Sequence, residues 1–138
     1  AIICDNGIFK EHFACYWIQM LNFDAFALIV PTNDGKSIKE HFGLASTKED
    51  KYSLAHMIAP PGWSESYQTP QFDEITFVIK GRKKIMIDES EEITLHAGES
   101  LLIRKGFRVQ YSNPFDEETE YVSVCVPAFS IDSVRRED

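Results

Sequence analysis

From Tyr52 to Val126, short apolar runs alternate with turn residues, and no helix-length segment lies between them. Seven runs rich in Ile, Val, Tyr, Phe and Thr read as strands: Tyr52–Ile58, Glu74–Lys80, Lys84–Ile87, Glu92–Leu95, Ser100–Arg104, Arg108–Tyr111 and Tyr121–Val126. Pro60-Pro61-Gly62, Lys80-Gly81-Arg82, Asp88-Glu89-Ser90, Ala97-Gly98, Lys105-Gly106 and Asn113-Pro114 supply the turns. Parallel strands need crossover helices, for which there is no room, so an antiparallel sandwich or barrel is expected.

The first third of the chain carries mixed signals. Ile8–Gln19 and Ser37–Phe42 each suit an amphipathic helix, and Phe26–Val30 reads as a buried strand before a turn at Pro31–Gly35. Lys10-Glu11-His12-Phe13 recurs as Lys39-Glu40-His41-Phe42, but two short copies do not make a stacked repeat. The expected division is an N-terminal extension over 1–45, packing on the barrel or on a dimer partner, a barrel over 46–130 and a tail over 131–138. The closing Arg135-Arg136-Glu137-Asp138 reads as solvated, the alternative being an arginine folded over a pocket mouth to bind a carboxylate.

Charge narrows the partners. With 22 acidic and 14 basic residues the net charge is −8, which repels phosphate backbones and anionic lipids, so neither nucleic acid nor membrane is an expected partner. Cys4, Cys15 and Cys125 form neither a disulfide framework nor a zinc-knuckle spacing, and a reducing cytoplasm is the expected setting. Cys125, in an apolar run, reads as a small buried hydrophobe.

From Gly62 to Asn113 the spacing resembles the two-part signature of the cupin superfamily. In that family a glycine is followed by His-x-His, a glutamate and a second glycine, and here those positions hold Gly62, Gln68, Pro70, Glu74 and Gly81. The second part, glycine, proline, glycine, histidine and asparagine, corresponds to Gly98, Arg104, Gly106, Val109 and Asn113. The strings around Pro60-Pro61-Gly62-Trp63 and Asn113-Pro114-Phe115 are similar to those of small bacterial single-domain cupins. The resemblance implies an all-β cupin fold, a double-stranded β-helix or jelly-roll barrel, with a pocket inside and pairing of barrels into a homodimer.

It also implies a metal held by three histidines and the glutamate, and here the chain departs from the family. Gln68, Pro70 and Val109 stand at the histidine positions, leaving Glu74 alone. Proline and valine offer no donor, and a glutamine carbonyl suits a transition metal poorly. No cofactor is therefore favoured; a divalent metal held by Glu74, Gln68 and a rescuing His56 is the alternative. His12, His41 and His96 fall in polar or turn contexts and are not expected as ligands.

A carboxylate facing into a barrel must be metal-bound, hydrogen-bonded or protonated to offset its desolvation. Glu74 is thus the centre of an expected small-molecule site with Gln68, Tyr111, His56, Arg104 and Glu65; structural pairing of Glu74 with Arg104 or a lysine is the competing reading. Trp63, Tyr67, Phe72 and Tyr111 either line that pocket or fill the core. Three functions remain open: a metabolite-binding cupin; an isomerase, epimerase or lyase using Glu74 and Tyr111 as acid and base or a rebuilt metal site; and a structural dimerisation module.

Overall fold

The computed structural model describes residues 27–138. The expected helix at Ile8–Gln19, the first copy of the four-residue repeat, His12, Cys4 and Cys15 lie outside the described residues.

Ten strands form two antiparallel sheets. They are β1 (Leu28–Val30), β2 (Ser37–Phe42), β3 (Ser53–Ala59), β4 (Trp63–Ser64), β5 (Asp73–Lys80), β6 (Arg82–Ile87), β7 (Glu91–His96), β8 (Ser100–Ile103), β9 (Val109–Asn113) and β10 (Thr119–Val126). The larger sheet runs β1-β2-β3-β10-β5-β8 and the smaller β4-β9-β6-β7. All seven runs read from the sequence are strands, with ends moved by at most two residues.

Three expectations about the flanks are corrected. Ser37–Phe42 is a strand, not a helix: it pairs with β3, with Ile38 opposite Met57 and Glu40 opposite Ala55. Six residues are too few for a self-sustaining helix, whereas the free edge of β3 offers a ladder of unpaired backbone groups. Leu28–Val30 is a strand as expected but an exposed one, added at the sheet edge beyond β2.

The end of the chain, residues 135–138, is exposed as expected but is tied to the barrel rather than free. Ser130 caps a short helix α1 (Ile131–Val134), its hydroxyl accepting from Ser133 N at 3.1 Å. Thr69 N then donates to Arg135 O at 3.2 Å, and Glu137 N to Tyr67 O at 2.8 Å. Arg108 forks onto the Glu137 carboxylate at 2.6 and 2.8 Å. Val134 packs with buried Phe72 and Cys125, giving this segment an apolar anchor as well.

Strand alternation decides what lies inside. On β5, Glu74, Thr76 and Val78 face the interior while Ile75, Phe77 and Ile79 face outward. The dry part of the interior joins both sheets: Val78 and Tyr121 from the larger meet Ile85, Val109 and Tyr111 from the smaller. Full burial of each such side chain contributes about 1.5–3 kcal/mol. Asn113 ties off the end of β9: its amide donates to Ala59 O, Pro60 O and Glu117 O at 3.1, 3.1 and 2.8 Å, and its carbonyl oxygen accepts from Phe115 N at 3.2 Å. The two hydrogens of one fully buried amide are thereby shared among three backbone carbonyls, tying the end of β3 and the 113–117 turn together.

Two of the glycines separate backbone conformation from crowding. Gly81, between β5 and β6, has φ +76°, and a Cβ there would collide with the backbone oxygen of Glu118. Gly98 has φ +88° but opens onto empty space. Gly98→Ala should therefore cost roughly 1 kcal/mol, from backbone strain alone. Gly81→Ala should cost about 3 kcal/mol, because backbone must also move. Urea unfolding of the two variants measures the difference; equal costs would contradict the contact with Glu118.

Candidate functional site

Between the sheets lies a cavity of about 630 Å³, within the size range of small-ligand pockets. It is lined by residues of β2, β3, β5, β6 and β10 and by the loop 31–36, α1 and Arg136.

Glu74 enters it from β5 at 9% exposure. Of the fates open to a buried carboxylate, the structure shows hydrogen bonding: the Tyr111 hydroxyl, on β9 across the barrel, donates to Glu74 Oε1 at 2.8 Å. Burial, and then the Glu74 charge, raise the Tyr111 phenol well above its ordinary pKa and hold it as the donor.

Gln68 and Glu65 reach the same region from the segment after β4. Gln68 bridges both Val109 and Arg136, and its side-chain oxygen accepts from Arg136 Nε at 3.2 Å. Glu65 accepts from Lys36 Nζ and Arg136 Nη2 on one oxygen, each at 3.2 Å. The arginine folded over a pocket mouth is Arg136, and the carboxylate it meets is the chain's own Glu65. Lys36 also lies over the Trp63 ring, 4.2 Å from its centroid, and Trp63 Nε1 donates to Asp34 at 2.6 Å.

Of the six expected site residues, Gln68 and Glu74 line the cavity, Tyr111 and Glu65 stand behind the lining as hydrogen-bond partners of Glu74 and of Lys36 and Arg136, and His56 and Arg104 are not part of the site. His56 points to the outer face of β3, in phase with Leu54 and Ile58, and pairs with Glu120 at 2.7 Å. An even-numbered residue on this strand faces away from Ala55 and Met57, which line the pocket, so His56 cannot rescue a metal site. Arg104 is exposed and bridges Asp73 at 2.8 Å, so it is not the partner of Glu74. Tyr67 lies under the Arg108 guanidinium and Phe72 packs on Phe129, both serving the C-terminal segment. Cys125 is buried, and burial pushes its thiol pKa upward, as expected for a hydrophobe rather than a nucleophile.

The residue that sequence reasoning missed is Lys83. It projects from β6 into the cavity and is only 2% exposed. Its ammonium donates to Thr76 Oγ1 at 3.1 Å, crossing from the smaller sheet to the larger. It also lies between two aromatic faces, 4.2 Å from the Tyr111 centroid and 3.9 Å from that of Tyr121. Among the described residues it makes no ion pair with a carboxylate. Burial lowers its pKa from 10.5 to about 8, against the opposing pull of Glu74 and Glu65. The available signal was phase: Lys83 is two residues before Ile85, so a strand that begins at Arg82 must place both inside.

Nearby, Ser123 Oγ is buried without a hydrogen-bond partner among the described residues. Ser123 lines the same cavity, opposite Thr76 in the β5–β10 register. Such an orphaned hydroxyl costs about 1–3 kcal/mol unless something in the cavity bonds to it.

The four cupin ligand positions do not fit a metal. Glu74 already accepts from Tyr111, the other three positions are Gln68, Pro70 and Val109, and the Lys83 ammonium would repel a divalent cation.

The sign of the Lys83 effect on stability follows from its lowered pKa. Between about pH 8 and 10.5 the unfolded chain holds a proton that the folded one does not, so this lysine's penalty shrinks as pH rises. The shift from 10.5 to about 8 corresponds to a penalty of about 3 kcal/mol at pH 7. Lys83→Met, similar in volume and uncharged, should raise stability at pH 7 by about 1–3 kcal/mol after loss of the Thr76 bond and the aromatic contacts. That advantage should vanish as the pH is raised through about 10. Urea titrations of both proteins across pH 7–10 read it as a difference, in which Tyr111, Tyr121 and Cys125 cancel; a variant less stable at pH 7 would overturn the assignment.

Comparison with known proteins agrees with this architecture. Residues 55–125 match the cupin domain family. A curated relative, the endoribonuclease YbeY of Myxococcus xanthus, is 45% identical over 101 residues, 73% of this chain but only 34% of that protein. The chain thus spans about a third of the relative's length. The Clostridium difficile EutQ protein is similar with a TM-score of 0.58 and 24% identity, over 74% of this chain and 78% of that one. An RmlC-like cupin from Shewanella frigidimarina aligns with a TM-score of 0.63 at 14% identity, over 78% and 89% of the two chains. With its two-sheet barrel and the Gly62–Asn113 spacing, the chain belongs to the cupin family.

Proposed function

We propose that this cupin binds a small, polar, carboxylate-bearing metabolite in its interior cavity without a metal. The observation that carries the reading is Lys83: a buried ammonium that lines an open cavity and has no carboxylate in contact among the described residues. A buried charge to which no carboxylate is bonded costs stability that an apolar residue would not, and proteins tolerate such costs at functional sites. A ligand carboxylate would supply the missing counter-charge, and the Ser123 hydroxyl would gain a partner. The cavity size and the mixture of apolar walls with a few convergent polar groups support the same reading.

The alternative is turnover. Tyr111 and Glu74 form a hydrogen-bonded pair beside Lys83, an arrangement able to move protons on a bound acid or sugar. An endoribonuclease role, named for the Myxococcus relative, is not favoured, because a chain with net charge −8 repels a phosphate backbone.

A thermal-shift screen of small mono- and dicarboxylic acids, 2-oxo acids and sugar acids, with neutral sugars as controls, tests the binding reading. The right acid at about a hundredfold over its Kd should stabilise by about 2.7 kcal/mol, and Lys83→Met should abolish the shift. A flat response to every acid would sink the proposal. Metal analysis of protein purified without an affinity tag addresses the other half: stoichiometric iron, nickel, manganese or zinc would overturn the metal-free reading.

We further infer that two barrels pair through the outer face of the larger sheet. Ile75, Phe77 and Ile79 stand 43–44% exposed there beside Leu102 and Val126. A contiguous apolar sheet face of this kind marks an interaction surface. Sedimentation should show a dimer, and Phe77→Lys should shift it toward monomer without loss of the fold. A strictly monomeric profile for the unmutated chain would remove this inference.

A further inference from the structure

We propose that Lys83 acts as a nucleophile toward small carbonyl compounds that carry a carboxylate, 2-oxo acids by class, forming an imine inside the cavity. The proposal rests on the reading that this cavity binds small acids, and adds a covalent step to it.

Position argues for it first. Most lysines keep their ammonium in water, but the Lys83 amine lies inside the barrel on the wall of an open cavity. The stem is fixed by β6 and the nitrogen by Thr76 and by the Tyr111 and Tyr121 faces, so it is held for approach from the cavity side only. Burial also keeps a larger share of this amine unprotonated near neutral pH than of any lysine in water.

Proton handling is built in beside it. Glu74 and Tyr111 share a hydrogen bond of 2.8 Å, and Tyr111 forms one of the two faces against the amine. Arg136 and Lys36 line the same cavity, and the planar guanidinium suits a carboxylate. Both are held by Glu65, which an incoming acid would have to displace in part or complement.

The step balances without a redox partner. The lone pair of neutral Lys83 Nζ forms a bond to the carbonyl carbon, and the carbonyl π pair moves to oxygen. One proton passes from nitrogen to that oxygen by way of the Glu74 carboxylate, which lines the cavity. The carbon–oxygen bond then breaks as oxygen takes the second nitrogen proton and leaves as water, while the nitrogen lone pair closes the C=N bond. Amine and carbonyl give imine and water, and nothing is oxidised or reduced.

The full chain is incubated at about pH 8 with pyruvate, 2-oxobutyrate or 2-oxoglutarate in the presence of sodium cyanoborohydride, which reduces an imine to a stable secondary amine. Peptide mass mapping then locates the adduct. Lys83 should label at least about tenfold faster than the exposed Lys51 and Lys105, since the unprotonated fraction changes tenfold per pKa unit. Lactate, which has the carboxylate but no carbonyl, should slow labelling of Lys83 and leave Lys51 and Lys105 unaffected. Labelling confined to exposed lysines overturns the imine. If a 2-oxo acid stabilises the protein thermally and Lys83 stays unlabelled, the covalent step fails and the binding reading stands. If no acid stabilises it and Lys83 stays unlabelled, both fall.

Discussion

Strand β10 is hydrogen-bonded along both edges, to β3 on one side and β5 on the other, and so has no freedom to slip in register. A one-residue shift would turn every side chain of the strand to the opposite face. Held in this register, Tyr121, Ser123 and Cys125 face inward, aligned with Val78, Thr76 and Glu74 on β5. Val122, Val124 and Val126 face outward beside Phe77, Ile75 and Asp73. The polar cavity and the apolar outer surface of the sheet are thus two sides of one constraint.

Within that frame the interior is divided by chemistry. Val78, Ile85 and Val109 close one part of the barrel as a dry core, whereas Glu74, Lys83 and Ser123 leave polar groups around the adjoining cavity, which Tyr121 also lines. Two hydrogen bonds join the sheets across this region, Tyr111 to Glu74 and Lys83 to Thr76. Both bridge a strand of the smaller sheet to β5 of the larger, so the groups that would meet a ligand are fixed by the barrel rather than by loops. Around the positions where the family places a histidine cage, this chain has a buried ammonium and a tyrosine–carboxylate pair.

The sequence made much of this legible. Alternation placed all seven core strands, and motif spacing found Glu74, Gln68, Tyr111 and Asn113 at interior positions. Phase also foretold that Ile75, Phe77 and Ile79 would face away from Glu74. Where local pattern was weak the reading failed. Ser37–Phe42 carries no strong period of its own, and the edge of β3 decides its conformation. His56 is expected as a rescue ligand from the strand before the motif and Arg104 as an ion-pair partner of Glu74, yet one faces outward and the other finds Asp73. Lys83 went unnoticed because a Gly-Arg-Lys-Lys run resembles a solvated turn, and only the start of β6 at Arg82 puts it in phase with Ile85.

Sequence alone determined the cupin architecture and the loss of the metal ligands, because side-chain period and motif spacing are local properties that survive without coordinates. Tertiary structure decided which groups surround Glu74. Lys83 and Thr76 lie on opposite sheets, as do Tyr111 and Glu74, and Arg136 reaches Glu65 from the far end of the chain. No spacing rule links such residues; they meet because closing the barrel leaves a buried ammonium and a buried carboxylate to find partners inside it, where water is scarce.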